Sequence, residues 1–368
     1  MVLQGTHHQE PTRRTAARLR TVGAAGCERR AAARPDGHRD LPADRRRRCA
    51  RRLPRPQATE GGAHGRLNRC STRTEVTDDA GHLVSYVLTQ VLNGISLGGL
   101  LFFLASGLTL IFGLMRIVNL AHGGFYLIGG YLGFTVARAT DSFWLAIIAA
   151  ALAVGIIGGL TERVLLRRLR GQELPEVLLT VGVATVLGDM SLAIWGGDPR
   201  TVSPPAYLDG SLTIGSFTYP RFRLFVTVLA IVVGLALYFL QQRTRIGAIV
   251  RAGVDDRETI QALGINVNLV FTGVFIAGAL LAGMAGVIGS AFLSLLPGGD
   301  VEILLLSLVV VIIGGLGSLP GAALGSLIVG LINAFGTSEL PQLASVMIFL
   351  PMALVLILRP SGLLGRPE

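Results

Sequence analysis

Hydrophobic residues run through this chain in long, nearly unbroken stretches. They occupy about 84–112, 120–137, 143–160, 177–195, 224–240, 268–293 and 343–358, and a further apolar region, 302–335, is broken by glycines and a proline. Each intact stretch is close to the ~20 residues that cross a bilayer core as a helix. Backbone in lipid must satisfy its own hydrogen bonds, which leaves helices or closed barrels. The stretches lack the period-two alternation of barrel strands. The pattern predicts an all-α, polytopic integral membrane protein with about eight or nine transmembrane segments, two of them interrupted.

The polar connections give direction. "ERVLLRRLRG" (Glu162–Gly171) carries four Arg, and "QQRTRIGAIVRAGVDDRET" (Gln241–Thr259) carries four more. Two spans separate these loops, so both can lie on the cytoplasmic side, where Arg accumulates. The loop 196–223, with "GGDPRTVSPPAYLDG", then lies outside and reads as turns. The closing "RPSGLLGRPE" falls inside if 302–335 crosses twice as two short helices.

Composition agrees: 51% of residues are hydrophobic and 15% charged. The net charge of +10 suggests a nucleic-acid partner until it is mapped. Residues 1–80 hold 18 Arg and 9 acids; the remaining 15 Arg and 14 acids nearly cancel. The excess is a property of the first 80 residues, and no nucleic-acid partner is expected for the rest. Rich in Arg, Ala, Pro and Gly, residues 1–80 cannot bury a core and are expected to be a disordered Arg-rich extension ahead of a transmembrane domain over 84–368. Counting spans back from the Arg-rich loops puts this extension outside, against the positive-inside rule. That conflict, and the gap from Met1 to the next Met, Met115, suggest a true start near Val76 or Val84.

All three Cys (Cys27, Cys49, Cys70) lie in the extension without metal-like spacing. No metal or cofactor is expected in this chain. Neither a nucleophile–base cluster nor a phosphate loop of the form GxxxxGK[ST] occurs; the chain has no Lys. It is not expected to be an enzyme or to bind ATP itself.

The candidate chemistry lies at the interruptions. "MRIVNLAHGG" places Arg116, Asn119 and His122 between two apolar runs. An Arg at membrane depth costs ~2.5–3.5 kcal/mol, so such groups face protein, a cavity or the interface. Gly123 and Gly124 favour a break or a close backbone approach. "IIGGLGSLPGAALGS" (Ile312–Ser326), with Gly317 and Pro320, is a second interruption. Paired interrupted segments in two halves of a transporter point to the substrate path. Arg116 also fits an interfacial anchor, and Asn119 and His122 also fit helix capping. The glycines at 278, 283, 286 and 289 fit helix packing.

In "RAGVDDRETIQALGINVN", Asp255 and Asp256 precede a run able to form two helical turns, and Gly264 fits its stop. This predicts a short helix across the cytoplasmic face.

These motifs, with "GLTLIFGLMRIVNLAHGGFYLIGGY", "VVVIIGGLGSLPGAALGSLIVG" and the ending "RPSGLLGRPE", resemble the permease subunits of branched-chain amino acid ABC importers over roughly residues 84–368. The resemblance implies a multi-pass protein of the bacterial inner membrane, in contact with lipid. It implies a second homologous permease, two cytoplasmic ATPase subunits that bind the ATP, and an extracytoplasmic substrate-binding protein. It assigns Asp255, Asp256, Glu258 and Ala262 to a coupling segment that docks on the ATPase, together with Gly264, Ile265 and Asn266. It assigns Asn119, His122 and Gly123 to the translocation path, which Gly317 and Pro320 join through the second interruption. Transport by alternating access follows. The rival is a stand-alone secondary carrier or channel for small polar solutes such as urea or amides, with Asp189 as an intramembrane carboxylate.

Overall fold

The computed structural model describes residues 72–214, 217–255, 264 and 266–365. Its helices are α1 (Thr72–Met115), α2 (Ala121–Thr140), α3 (Phe143–Leu160), α4 (Glu173–Trp195), α5 (Arg221–Arg243), α6 (Arg245–Asp255), α7 (Val267–Leu293), α8 (Gly299–Gly314), α9 (Leu319–Glu339) and α10 (Ala344–Leu358). Among the described residues, six segments are long and apolar enough to cross a membrane: Leu83–Met115, Phe143–Leu169, and helices α4, α5, α7 and α9. Helices α2, α8 and α10 complete the bundle, and α8 and α9 are the two short helices expected in 302–335. The chain is a polytopic all-α membrane protein.

What sorts a helix face here is size rather than polarity. Helix α3 turns Leu145, Ile148, Leu152, Ile156 and Leu160 outward and buries Ala146, Ala150, Val154 and Gly158. Lipid tails are as apolar as leucine, so no hydrophobic gain drives helices together; close backbone approach does. Helix α7 occupies the centre, against α1, α2 and α3, and α9 lies along α1. A Cβ added to Gly129 of α2 would fall 2.6 Å from Gly283 Cα of α7, and one on Gly98 of α1 2.7 Å from Ser326 O of α9. The glycines at 278, 283, 286 and 289 all meet neighbouring helices this way.

The structure departs from the sequence expectations in two places. Helix α1 starts at Thr72, inside the segment read as extension. The outer loop contains a hairpin, β1 (Ser211–Ile214) paired antiparallel with β2 (Phe217–Pro220). The hairpin is anchored by Tyr219, whose hydroxyl lies 3.0 Å from Ser96 Oγ of α1. The first interruption, at residues 116–120, falls close to the gap between the stretches 84–112 and 120–137, and Gly123 and Gly124 are helical.

Candidate translocation site

Helix α1 ends at Met115 because Arg116 turns left-handed, with φ 55°. That conformation is costly for a residue with a Cβ. Residues 117–120 then run back towards α4. The Leu120 N–H donates to Thr180 Oγ1 at 3.2 Å. Thr180 lies seven residues, or about 10 Å, along α4 from its first residue. Helix α2 thus begins within the bundle, and its first N–H groups have to find partners there.

Asn119 and His122 supply part of the answer. The Asn119 carboxamide oxygen accepts from Ala121 N–H at 3.1 Å, and its backbone carbonyl accepts from His122 N–H at 3.2 Å. The His122 ring reaches α1, where Nε2 donates to the Leu104 carbonyl at 3.0 Å. With Nε2 as the donor, Nδ1 is the ring nitrogen left over. Both side chains are buried, and among the described residues neither Asn119 Nδ2 nor His122 Nδ1 has a hydrogen-bond partner. Asn119 thus satisfies one backbone N–H at the start of α2, whose cap position is Leu120, and each side chain keeps one polar atom unspent.

Gly123 and Gly124 pack rather than bend. A Cβ on Gly123 would lie 2.6 Å from the Asp300 carbonyl and 2.9 Å from Leu304 Cβ, in the first turns of α8. A Cβ on Gly124 would sit 3.3 Å from Ala184 Cα of α4. The start of α2 is wedged between two helices at backbone distance.

The second interruption is built differently. Helix α8 stops at Gly314, and Gly315 and Gly317 take φ of 104° and 78°. Ser318 then caps α9, accepting from Gly321 N–H at 3.2 Å. The carbonyls of Ile313 and Gly314 accept from Leu363 and Leu364 N–H at 2.9 and 3.0 Å, so the returning C-terminal segment closes the end of α8. A Cβ on Gly317 would lie 3.2 Å from Gly113 Cα, in the last turn of α1. The second interruption therefore touches the last turn of α1, just before the first. Asn119, His122 and Gly123 gather at the start of α2, Gly317 meets the end of α1, and Pro320 is exposed in the first turn of α9. An apolar cleft of about 430 Å³ between α3 and α4, lined by Thr161, Leu179 and Leu187 among others, includes none of these residues.

Of the coupling segment, Asp255 is the last residue of α6. Gly264 is exposed with φ 77°, as a helix stop requires. Asn266 caps α7, accepting from Leu269 N–H at 3.4 Å. Asp256, Glu258, Ala262 and Ile265 lie outside the described residues, as does the short helix expected there. Asp189 is exposed on α4.

Sequence reasoning missed the polar cluster at the inner ends of α3 and α7. Glu162, fully buried, pairs with Arg170 and accepts from Thr272 Oγ1 at 2.5 Å. Its partners lie 8 and 110 residues away, beyond the reach of periodicity.

A multi-pass bundle packed at backbone distance around two interrupted connections defines a membrane permease component. The chain belongs to the family described as the permease component of the branched-chain amino acid transport system, whose sequence profile matches residues 90–356. It is 32% identical over 304 residues to the high-affinity branched-chain amino acid transport system permease protein BraD of Pseudomonas aeruginosa, covering 77% of this chain and 98% of that one. It is 30% identical to the LivH permease protein of Escherichia coli K12, covering 77% and 97%. Among solved structures, PsaBC of Streptococcus pneumoniae in complex with Fab covers 72% of this chain and 89% of that one at 12% identity. The TM-score of that match is 0.42.

Proposed function

We propose that the chain is the membrane-spanning permease subunit of an ATP-driven ABC importer for branched-chain or related amino acids, in the bacterial inner membrane. The observation that carries this reading is similarity to BraD over 98% of that permease's length. On this reading a second, homologous permease completes the membrane unit. Two cytoplasmic ATPase subunits bind the ATP, so the chain itself needs no cofactor, and an extracytoplasmic binding protein delivers the substrate.

ATP binding draws the ATPase pair together and displaces the cytoplasmic segment Asp255–Asn266. The helices then rock between outward-open and inward-open arrangements. The loaded binding protein favours one of them, because a ligand shifts an equilibrium only through its differential affinity. The interruptions suit the moving parts: Arg116, Gly315 and Gly317 hold left-handed backbone, and α2 begins among unspent polar atoms.

The test is uptake of radiolabelled leucine by cells that lack their own branched-chain uptake and express the chain with its partner subunits. Uptake should vanish when the partner ATPases carry a substitution that blocks ATP hydrolysis. Uptake that survives that substitution would favour the stand-alone carrier, with Asp189 as its first candidate ion site.

A further inference from the structure

Glu162 is the first acid after the apolar run of α3, and it lies in a π-helical turn, Thr161–Leu166. Such turns insert one residue into a helix and recur at functional positions. Glu162 faces inward and pairs with Arg170, whose side chain is 10% exposed. The second Glu162 oxygen accepts from Thr272 Oγ1 at 2.5 Å, and Arg170 Nη1 donates to Asn268 Oδ1 at 2.5 Å. The guanidinium also lies 4.4 Å from the centre of the Phe271 ring. Asn268 and Thr272 belong to the first two turns of α7, directly after its cap, Asn266. The pair therefore grips the helix that leaves the cytoplasmic segment.

The other side of Arg170 leads inward. Its neighbour Gly171 donates its N–H to Glu176 Oε1 at 3.0 Å, in the first turn of α4. One helical turn further, Thr180 accepts from Leu120 N–H in the first interruption. Polar contacts, joined by the Arg170–Gly171 backbone and by one turn of α4 from Glu176 to Thr180, thus link the start of α7 to the residue before α2.

Stability alone does not account for this arrangement. Each buried ion loses several kcal/mol of hydration, and well-packed apolar residues in place of such a pair are often as stable or more so. What the pair provides is fixed geometry: the planar guanidinium fork meets one partner along each edge and an aromatic ring on its face.

We propose that Glu162 and Arg170 are positioning residues that pass displacement of the cytoplasmic segment, through Thr180, to the first interruption. This rests on the importer reading. Movement at the cap of α7 shifts Asn268 and Thr272, and these drag the Glu162–Arg170 pair. The pair moves the first turn of α4, and Thr180 carries Leu120 with it. Force delivered at the cytoplasmic face then reaches the start of α2.

The test uses the whole complex in proteoliposomes, with leucine uptake and ATP hydrolysis measured together. Wild-type complex must first show ATP-driven uptake; failure there counts against the importer reading and not against the relay. Thr180→Val keeps shape and burial but removes the acceptor. It should lower leucine moved per ATP at least tenfold, with hydrolysis and co-purification of the ATPase within twofold of wild type. Thr180→Ser should restore it. Thr272→Val should do the same from the far end of the chain of contacts, and the double variant should lose no more than either single one. Unchanged uptake per ATP in Thr180→Val would overturn the relay. So would loss of uptake in step with hydrolysis and assembly, or a double variant whose loss is the product of the two single losses.

Discussion

The two interruptions look alike in the sequence and are solved in opposite ways. At 315–318 glycines take the left-handed positions, Ser318 caps α9, and the returning Leu363 and Leu364 close α8. At 116–120 a non-glycine residue is left-handed, and the start of α2 leans on side chains from its own link and from a neighbouring helix. Asn119 Nδ2 and His122 Nδ1 stay unpartnered among the described residues. Unmet buried polar groups are costly, at ~1–3 kcal/mol each. The contrast separates a completed joint, at α8–α9, from one whose polar atoms are kept in reserve, at α1–α2. On the importer reading proposed above, the second is where substrate or movement would act.

The comparison breaks most readily at Gly123. Gly123→Val would drive a branched side chain into the Asp300 carbonyl, where even a Cβ has only 2.6 Å. Overpacking of this kind costs ~1–3 kcal/mol or more, and neither backbone can step aside. Uptake should be abolished and folded protein in the membrane reduced, as fluorescence-detected gel filtration would show. Folded, active protein would mean that α2 and α8 separate easily.

Deleting residues 361–368 should come next. It leaves the Ile313 and Gly314 carbonyls without the Leu363 and Leu364 N–H groups, a loss of ~1–3 kcal/mol. The melting temperature of the detergent-solubilised complex should fall, while the affinity of uptake for leucine holds. A changed affinity with no loss of stability would mean that this joint is functional rather than completed.

His122→Leu should act the other way. An apolar side chain of similar volume removes the unpartnered nitrogen together with the ring, and such replacements can be nearly neutral for stability. Uptake should fall about tenfold, equivalent to about 1.4 kcal/mol, with unchanged protein levels on an immunoblot. Loss of protein in parallel would leave His122 only its staple to Leu104. The smallest effect belongs to Pro320→Ala: exposed in the first turn of α9, it should change uptake less than twofold.

The spans were legible because lipid imposes its length directly on the sequence. The two-helix reading of 302–335 followed from the same constraint. The place of the first break was legible as the gap between the stretches 84–112 and 120–137; its cause was not. Gly123 and Gly124 read as either a break or a close backbone approach, and the structure takes the second: their missing Cβ atoms allow α2 to touch α4 and α8. Arg116, the residue that does break α1, carries no such signal. The outer hairpin was hidden by strands of only four residues among turn-forming neighbours. Asn119 and His122 stood out as polar groups in apolar surroundings. Thr180 did not, since a threonine in a span commonly bonds its own helix, as this one also does through Val177 O. The Glu162–Arg170–Thr272 cluster needed the fold to bring it together.

The central claim is that this chain is a gate without its own source of energy. Purified alone into liposomes that hold a leucine gradient, it should pass no leucine above the empty-liposome control. With its partner subunits and ATP in the same liposomes, uptake should begin. Saturable leucine flux through the chain by itself would contradict the account.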